Sequence, residues 1–160
     1  MRLLVVLTAL AVLAAGWFGW SWWSAAHDDG VSIARDRDAV LAAASAELVV
    51  LNTIDHRTAA ADVDKWIAAT TGRLGKDLTD DRQVQIDRAA STQAVASAVL
   101  KQAAVTEVNP AAGTARIIAV LDVLVGTGGA APAPNVSRLN VDLERTGDGW
   151  KVSGIQAAAK

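Results

Sequence analysis

Cysteine is absent from this 160-residue chain. That excludes disulfides, thiolate metal sites, a cysteine nucleophile and a lipoprotein anchor, which would need a Cys behind the leader. Tyrosine is absent too, and Phe18 is the only phenylalanine. Surplus positive charge is lacking: 15 Lys and Arg stand against 17 Asp and Glu. With both signs interspersed, there is no basic face for DNA or RNA. Also missing are G-x-S-x-G, P-loop and H-E-x-x-H motifs. Nothing therefore announces acyl transfer, nucleotide binding or zinc hydrolysis.

What is present begins with an apolar run. Leu3 to Trp23, "LLVVLTALAVLAAGWFGWSWW", contains no charged residue. As a helix it would extend about 31 Å, the thickness of a bilayer's hydrocarbon core. Trp17, Trp20, Trp22 and Trp23 close this run. At about 100° per residue they spread around the helix, as an interfacial aromatic girdle does. The expected layout is a cytoplasmic tail at 1–2, a transmembrane helix at 3–23, a linker at 24–31 and an extracytoplasmic domain at 32–158. The alternative is a signal peptide cleaved after Ala26, for which Ser24-Ala25-Ala26 offers small residues.

Beyond the polar "HDDGVS", a helix is expected from Ser32. Ile33, Val40, Leu41, Ala44, Leu48, Leu51 and Ile54 recur at steps of three and four. "DHRT" interrupts it. A second helix, "AAADVDKWIAATTG", has Asp62 and Asp64 in its early turns, Trp66 and Ile67 for a buried face, and Gly72 as its stop. "LTDDRQVQIDRAAS" reads as a third, with Thr79 as N-cap. After Thr92 the pattern turns to strands: "VASAVLKQAAVTEVN", then "TARIIAVLDVLVG", apolar on both sides and so central. "NVSRLNVDLERTG" places Leu139, Val141 and Leu143 on one face. "GDG" forms a hairpin turn, and "WKVSGIQA" is the last strand. Helices followed by three to four antiparallel strands define an α+β fold.

Three groupings could carry chemistry. Asp55-His56-Arg57 contains an acid–histidine pair, but neighbours in sequence do not generally face one another, and a solvated corner explains them. His27, Asp28 and Asp29 lack a fourth ligand at helical spacing and read as a hydrated spacer. Asp62 and Asp64 point to different sides of a helix and suit its dipole. The sequence assigns no catalytic, cofactor-binding or metal-ligating residue.

A larger pattern joins these parts. The apolar leader is followed by "LNTIDHRTAAADVDKWIAATTG", "GTARIIAVLDV" and "SRLNVDLERTGDGWKVSGIQ". The last carries Arg138, Val141, Leu143, Arg145, Asp148, Gly149 and Trp150. In order and spacing the series resembles the Mce-associated membrane proteins of actinobacteria. It departs from them after Thr71-Gly72, where Leu74 and Leu78 replace the family's usual aromatics.

The resemblance implies a cone-shaped domain like nuclear transport factor 2 or the type IV secretion core-assembly proteins, with three helices packed on a curved antiparallel sheet. It implies a non-enzymatic accessory subunit of an Mce lipid or sterol importer. The partners would be Mce substrate-binding proteins and their permease subunits. Two alternatives share the fold. One is an enzyme of the ketosteroid isomerase or polyketide cyclase kind, which needs titratable groups at the base of an apolar pocket. The other is a carrier holding a small apolar ligand in the cone.

Overall fold

The computed structural model describes residues 14–21 and 29–158. Contacts divide the chain into two units, Met1–Asp36 and Arg37–Lys160. In the first, residues 14–21 are helical, with Trp17, Phe18 and Trp20 exposed. The rest of the expected membrane span, the tail at 1–2 and linker residues 24–28 lie outside the described residues. Among the described residues, no helix is long and apolar enough to cross a membrane.

Helix α1 is Asp29–Leu51. Val40, Ala44 and Leu48, spaced by four, are completely buried; they form the stripe that a period of 3.6 residues requires. The helix ends where polar side chains take over its last carbonyls. Asn52 Nδ2 donates to Leu48 O at 2.8 Å, and Thr53 Oγ1 donates to Val49 O at 2.7 Å. Ile54 does not extend the helix. Ile54–Asp55 form a two-residue strand, β1, paired with Ala96 and Val95.

Helix α2 is Ala59–Ala68. Its fully buried residues are Ala59, Asp62 and Val63, while Trp66 and Ile67 are half-buried. Trp66 Nε1 donates to Val50 O at 2.9 Å and Thr53 O at 3.1 Å. The indole thereby fastens α2 to the end of α1. Gly72 is not the stop expected from sequence. It opens a further helix, α3, Gly72–Asp80, at φ +59°. Its missing Cβ would lie 3.4 Å from the Glu144 carboxylate and 3.5 Å from Ser153 Cβ. The glycine thus serves a reversal of the chain against the sheet. Thr79 lies inside α3 and donates back to Gly75 O at 2.7 Å, so it is not an N-cap. The expected third helix, residues 78–91, therefore divides between the last turn of α3 and a separate helix, α4, Arg82–Thr92.

The strands follow the sequence closely. They are β2 (Val95–Asn109), β3 (Thr114–Gly126), β4 (Ala133–Thr146) and β5 (Gly149–Ala157). All pair antiparallel in the order β1-β2-β3-β4-β5, so β3 is central. Thr146 pairs with Gly149 across the Gly147-Asp148 turn, with Gly149 at φ +118°. Register shifts at Leu100/Gln102 and Val105/Glu107 in β2, and opposite Asp142/Leu143 in β5, are bulges. Bulges sharpen twist and bend the strand, which lets the sheet curve over α1.

The core lies between that helix stripe and the inner face of the sheet. Ile117, Leu121, Val141, Leu143 and Val152 are buried there with Val40 and Leu48, and Trp150 seals an edge. Arg145 lies 4.8 Å above the Trp150 ring, a cation–π contact. On the free side of β5, Thr71 N donates to Val152 O at 2.9 Å and Val152 N donates to Ala69 O at 3.2 Å.

Candidate functional site

Asp55, Asp62 and Asp64, singled out in the sequence, are held by structural bonds, whereas His56 Nδ1 is buried without a hydrogen-bond partner. Asp55 accepts from Arg57 Nε at 3.0 and 3.1 Å, from Arg57 Nη2 at 2.6 Å and from the Arg57 amide at 2.9 Å. The Arg57 side-chain bonds, then its amide, pull the Asp55 carboxyl down to about 2. His56 Nδ1 is 3.6 Å from Asp55 Oδ1, too long for a hydrogen bond. The pair forms no acid–histidine dyad. His56 instead extends the β1–β2 pairing, its amide donating to Ala94 O at 2.8 Å.

Asp62 and Asp64 point apart, as their spacing requires. Asp62 is buried and accepts from Thr58 Oγ1 at 2.8 Å, Lys65 Nζ at 2.9 Å and the Asp55 amide at 3.1 Å. Burial raises its pKa, but the bonds from Lys65, Thr58 and Asp55 together outweigh that and lower it. Asp64 takes a two-pronged contact from Arg82, Nε at 2.6 Å and Nη2 at 2.9 Å. That bond lowers its pKa and ties α2 to α4. His27 and Asp28 lie outside the described residues. Among the described residues there is no group of three or more His, Cys, Asp or Glu placed to hold a metal ion.

One titratable group was not singled out in the sequence. Glu47 sits on α1 seven residues after Val40 and three after Ala44, on the same stripe. Its Oε2 is shut off from solvent without a hydrogen-bond partner, although the side chain as a whole is half-buried. Burial pushes its pKa up to about 7, against the opposing pull of the Val152 amide and the Lys151 charge. A charged residue at a core position of the helical repeat was the available signal.

The more extensive feature is the face of the sheet turned away from the helices. Along β3, Ala115, Ile117, Ala119, Leu121 and Val123 are buried inward. Ile118 and Leu124 point outward, 47% and 45% exposed. Beside them on β2 and β4, Val99 is 61% and Val136 is 52% exposed. The double-sided apolar pattern of β3 marked it as the central strand. Here the strand is central, yet its outer face meets solvent. Apolar residues gathered on a solvent-facing sheet make this face the candidate binding surface.

The outer face is graded along the strands. At one end Arg116 Nε donates to Asp142 Oδ1 at 2.9 Å, and Arg116 Nη1 lies 3.7 Å from Glu107 Oε2. These groups line a concavity of about 380 Å³. In the middle Ala104, Ile118, Val120 and Arg138 line a trough of about 660 Å³. Val99, Leu124, Pro134 and Val136 line the next, of about 560 Å³. Lys101 and Asp122, paired at 3.1 Å, border both stretches of the trough between them.

The chain matches no protein-family model and no curated protein. Its fold does recur among solved structures. The periplasmic domain of DotI aligns with a TM-score of 0.60 at 14% identity, covering 76% of this chain and 94% of that one. An IcmL-like type IV secretion system protein from Legionella pneumophila gives 0.58 at 10% identity, covering 73% and 88%. An assigned aromatic ring hydroxylase from Novosphingobium aromaticivorans gives 0.51 at 13% identity, covering 78% and 94%. Identities this low speak for architecture, and the architecture is that of a nuclear transport factor 2-like α+β domain.

Proposed function

We propose that this chain is a non-enzymatic, membrane-anchored accessory subunit that docks or stabilises an Mce-type lipid or sterol import complex in the cell envelope. Its folded domain would stand on the extracytoplasmic side, with substrate-binding proteins and permease subunits as partners. The carrying observation is the distribution of apolar surface. The space between α1 and the sheet is filled by Leu48, Ile117, Leu121, Val141 and Leu143, all fully buried. Ile118, Leu124, Val99 and Val136 face solvent. A packed interior leaves no room for the ligand of a carrier or the apolar pocket of an isomerase. An apolar outer face fits a protein that works by contact. The fold is compatible with either kind of activity, as the hydroxylase shows, so the surface must decide.

Two further lines support the reading. The series running from the apolar leader to the Arg138–Trp150 hairpin resembles Mce-associated membrane proteins. The fold is also that of the DotI periplasmic domain and the IcmL-like secretion system protein. The test is affinity purification of the full chain from gently solubilised membranes. Mce substrate-binding proteins or permeases should come down with it. Recovery of this chain alone, under conditions that keep the importer intact, overturns the proposal.

A further inference from the structure

We infer that the outer face of β2–β4 is the docking site for an amphipathic helix of a partner protein, and that Arg138 anchors it by pairing with an acidic residue on that helix. The inference rests on the contact-based reading above for the existence of a partner, and goes beyond it by naming the surface and the chemistry.

The layer arrangement is the first ground. An antiparallel sheet can leave one face to water, but that face is then ordinarily polar, so apolar residues on it call for a cover. Within Arg37–Lys160, α1 covers one face and no other described element covers the second.

The dimensions are the second. The outward positions of β3 from Ile118 to Leu124, apolar except for the ion-paired Asp122, span six residue steps, about 20 Å at the strand rise. A helix of about 13 residues has that length. The trough lies over β3 and is flanked by β2 and β4, which are about 10 Å apart across two strand spacings. That matches the diameter of a helix with its side chains. A single acyl chain is far narrower and would leave Val99 and Val136, on opposite sides of Asp122, in water. An added strand would pair at a sheet edge and leave this face bare.

Charge is the third. The other basic residues of this face are paired: Lys101 with Asp122, and Arg116 with Asp142 and Glu107. Arg138 stands next to Val120 in the register, exposed on the border of the middle trough. Its side chain has no hydrogen bond or ion pair among the described residues, while its carbonyl accepts from the Ala158 amide at 2.9 Å. An arginine beside an apolar trough is suited to a carboxylate, which it can hold with two parallel bonds.

The test uses the full chain in its own membrane, with a photo-crosslinking residue placed at Ile118 or Leu124. Val84, an exposed apolar residue on α4, is the comparison position. Outer-face positions should capture a partner, with the cross-links mapping to an apolar helical segment bearing an Asp or Glu. Arg138→Glu and, separately, Ala104→Trp, which fills the trough, should each lower the yield about tenfold. Reversing the partner's acidic residue should restore capture by the Arg138→Glu chain. Both substituted positions are exposed, so the fold should persist, and circular dichroism checks that it does.

Capture of a second copy of this chain, of lipid, or of a non-helical segment overturns the inference. So does capture from Val84 alone. If importer subunits co-purify but only Val84 cross-links to them, the inference falls and the importer reading stands. If the captured helix belongs to an unrelated membrane protein, the docking surface stands and the importer reading falls.

Discussion

Replacing Glu47 with glutamine removes a charge while keeping nearly the same shape. The native carboxyl titrates near 7, against an ordinary 4.5, because burial opposes its ionisation. The folded protein therefore holds this proton to higher pH than the unfolded chain does. The contribution to stability is fully present below about pH 4.5 and is lost as pH rises through about 7. Each pKa unit corresponds to about 1.4 kcal/mol, so the full displacement would be about 3.4 kcal/mol. The side chain is only partly buried, so water screens the penalty, and about 1–2 kcal/mol is the reasonable share. Wild type should thus lose about 1–2 kcal/mol between pH 5 and 8, with Glu47→Gln flat in that window by comparison. At pH 8 the variant should melt about 3–8 °C higher than wild type, and near pH 4.5 the two should coincide. Thermal melts followed by tryptophan fluorescence over a series of buffers measure this directly. Parallel profiles for the two proteins between pH 5 and 8 would refute the claim that Glu47 ionises at a cost in the fold.

Two other substitutions probe the scaffold. Leu48→Ala, at a fully buried position on the α1 stripe, should cost about 2–5 kcal/mol in chemical denaturation; a loss below about 1 kcal/mol would mean that the interior is not closely packed. Asp62→Ala removes the acceptor shared by Thr58, Lys65 and the Asp55 amide and should cost about 1–3 kcal/mol at pH 7. Because the pKa of Asp62 is lowered, its stabilisation exists above the ordinary carboxylate range and fades as pH falls below about 4, so the deficit should shrink there.

The strands were legible because period-2 burial is a local signal and the turns between them are spelled out by Asn-Pro, Gly-Gly and Asp-Gly. The limits of β2 and β3 coincide with the stretches read from sequence. The helical region was less legible. Gly72 looks like a C-terminal stop, and only the approach of Glu144 and Ser153 explains why it begins a helix. Thr79 looks like a cap, but its hydroxyl turns back into its own helix. Ile54 continues the apolar step of α1, yet it belongs to β1 because Ala96 is there to pair with it. Gly72 and Ile54 depend on partners distant in sequence, and Thr79 on where its own helix begins. The candidate surface was hidden for a different reason. An apolar face buried within one chain and an apolar face reserved for another have the same composition, so Ile118 and Leu124 could not be told from core residues.

The two borders of the sheet have a consequence for the chain at high concentration. Along β2, only Val95 and Ala96 have a neighbour beyond β3, and the free stretch is kinked twice, near Lys101 and Thr106. On the opposite border, the Ala69–Thr71 segment is stitched over Val152. Exposed strand backbone invites another chain to add itself, and kinks, charges and covering segments discourage it. Molecules at high concentration collide often. This chain can be crowded without growing fibres strand upon strand, so that any association through the sheet would fall to the side chains of its broad face, where specificity can be written.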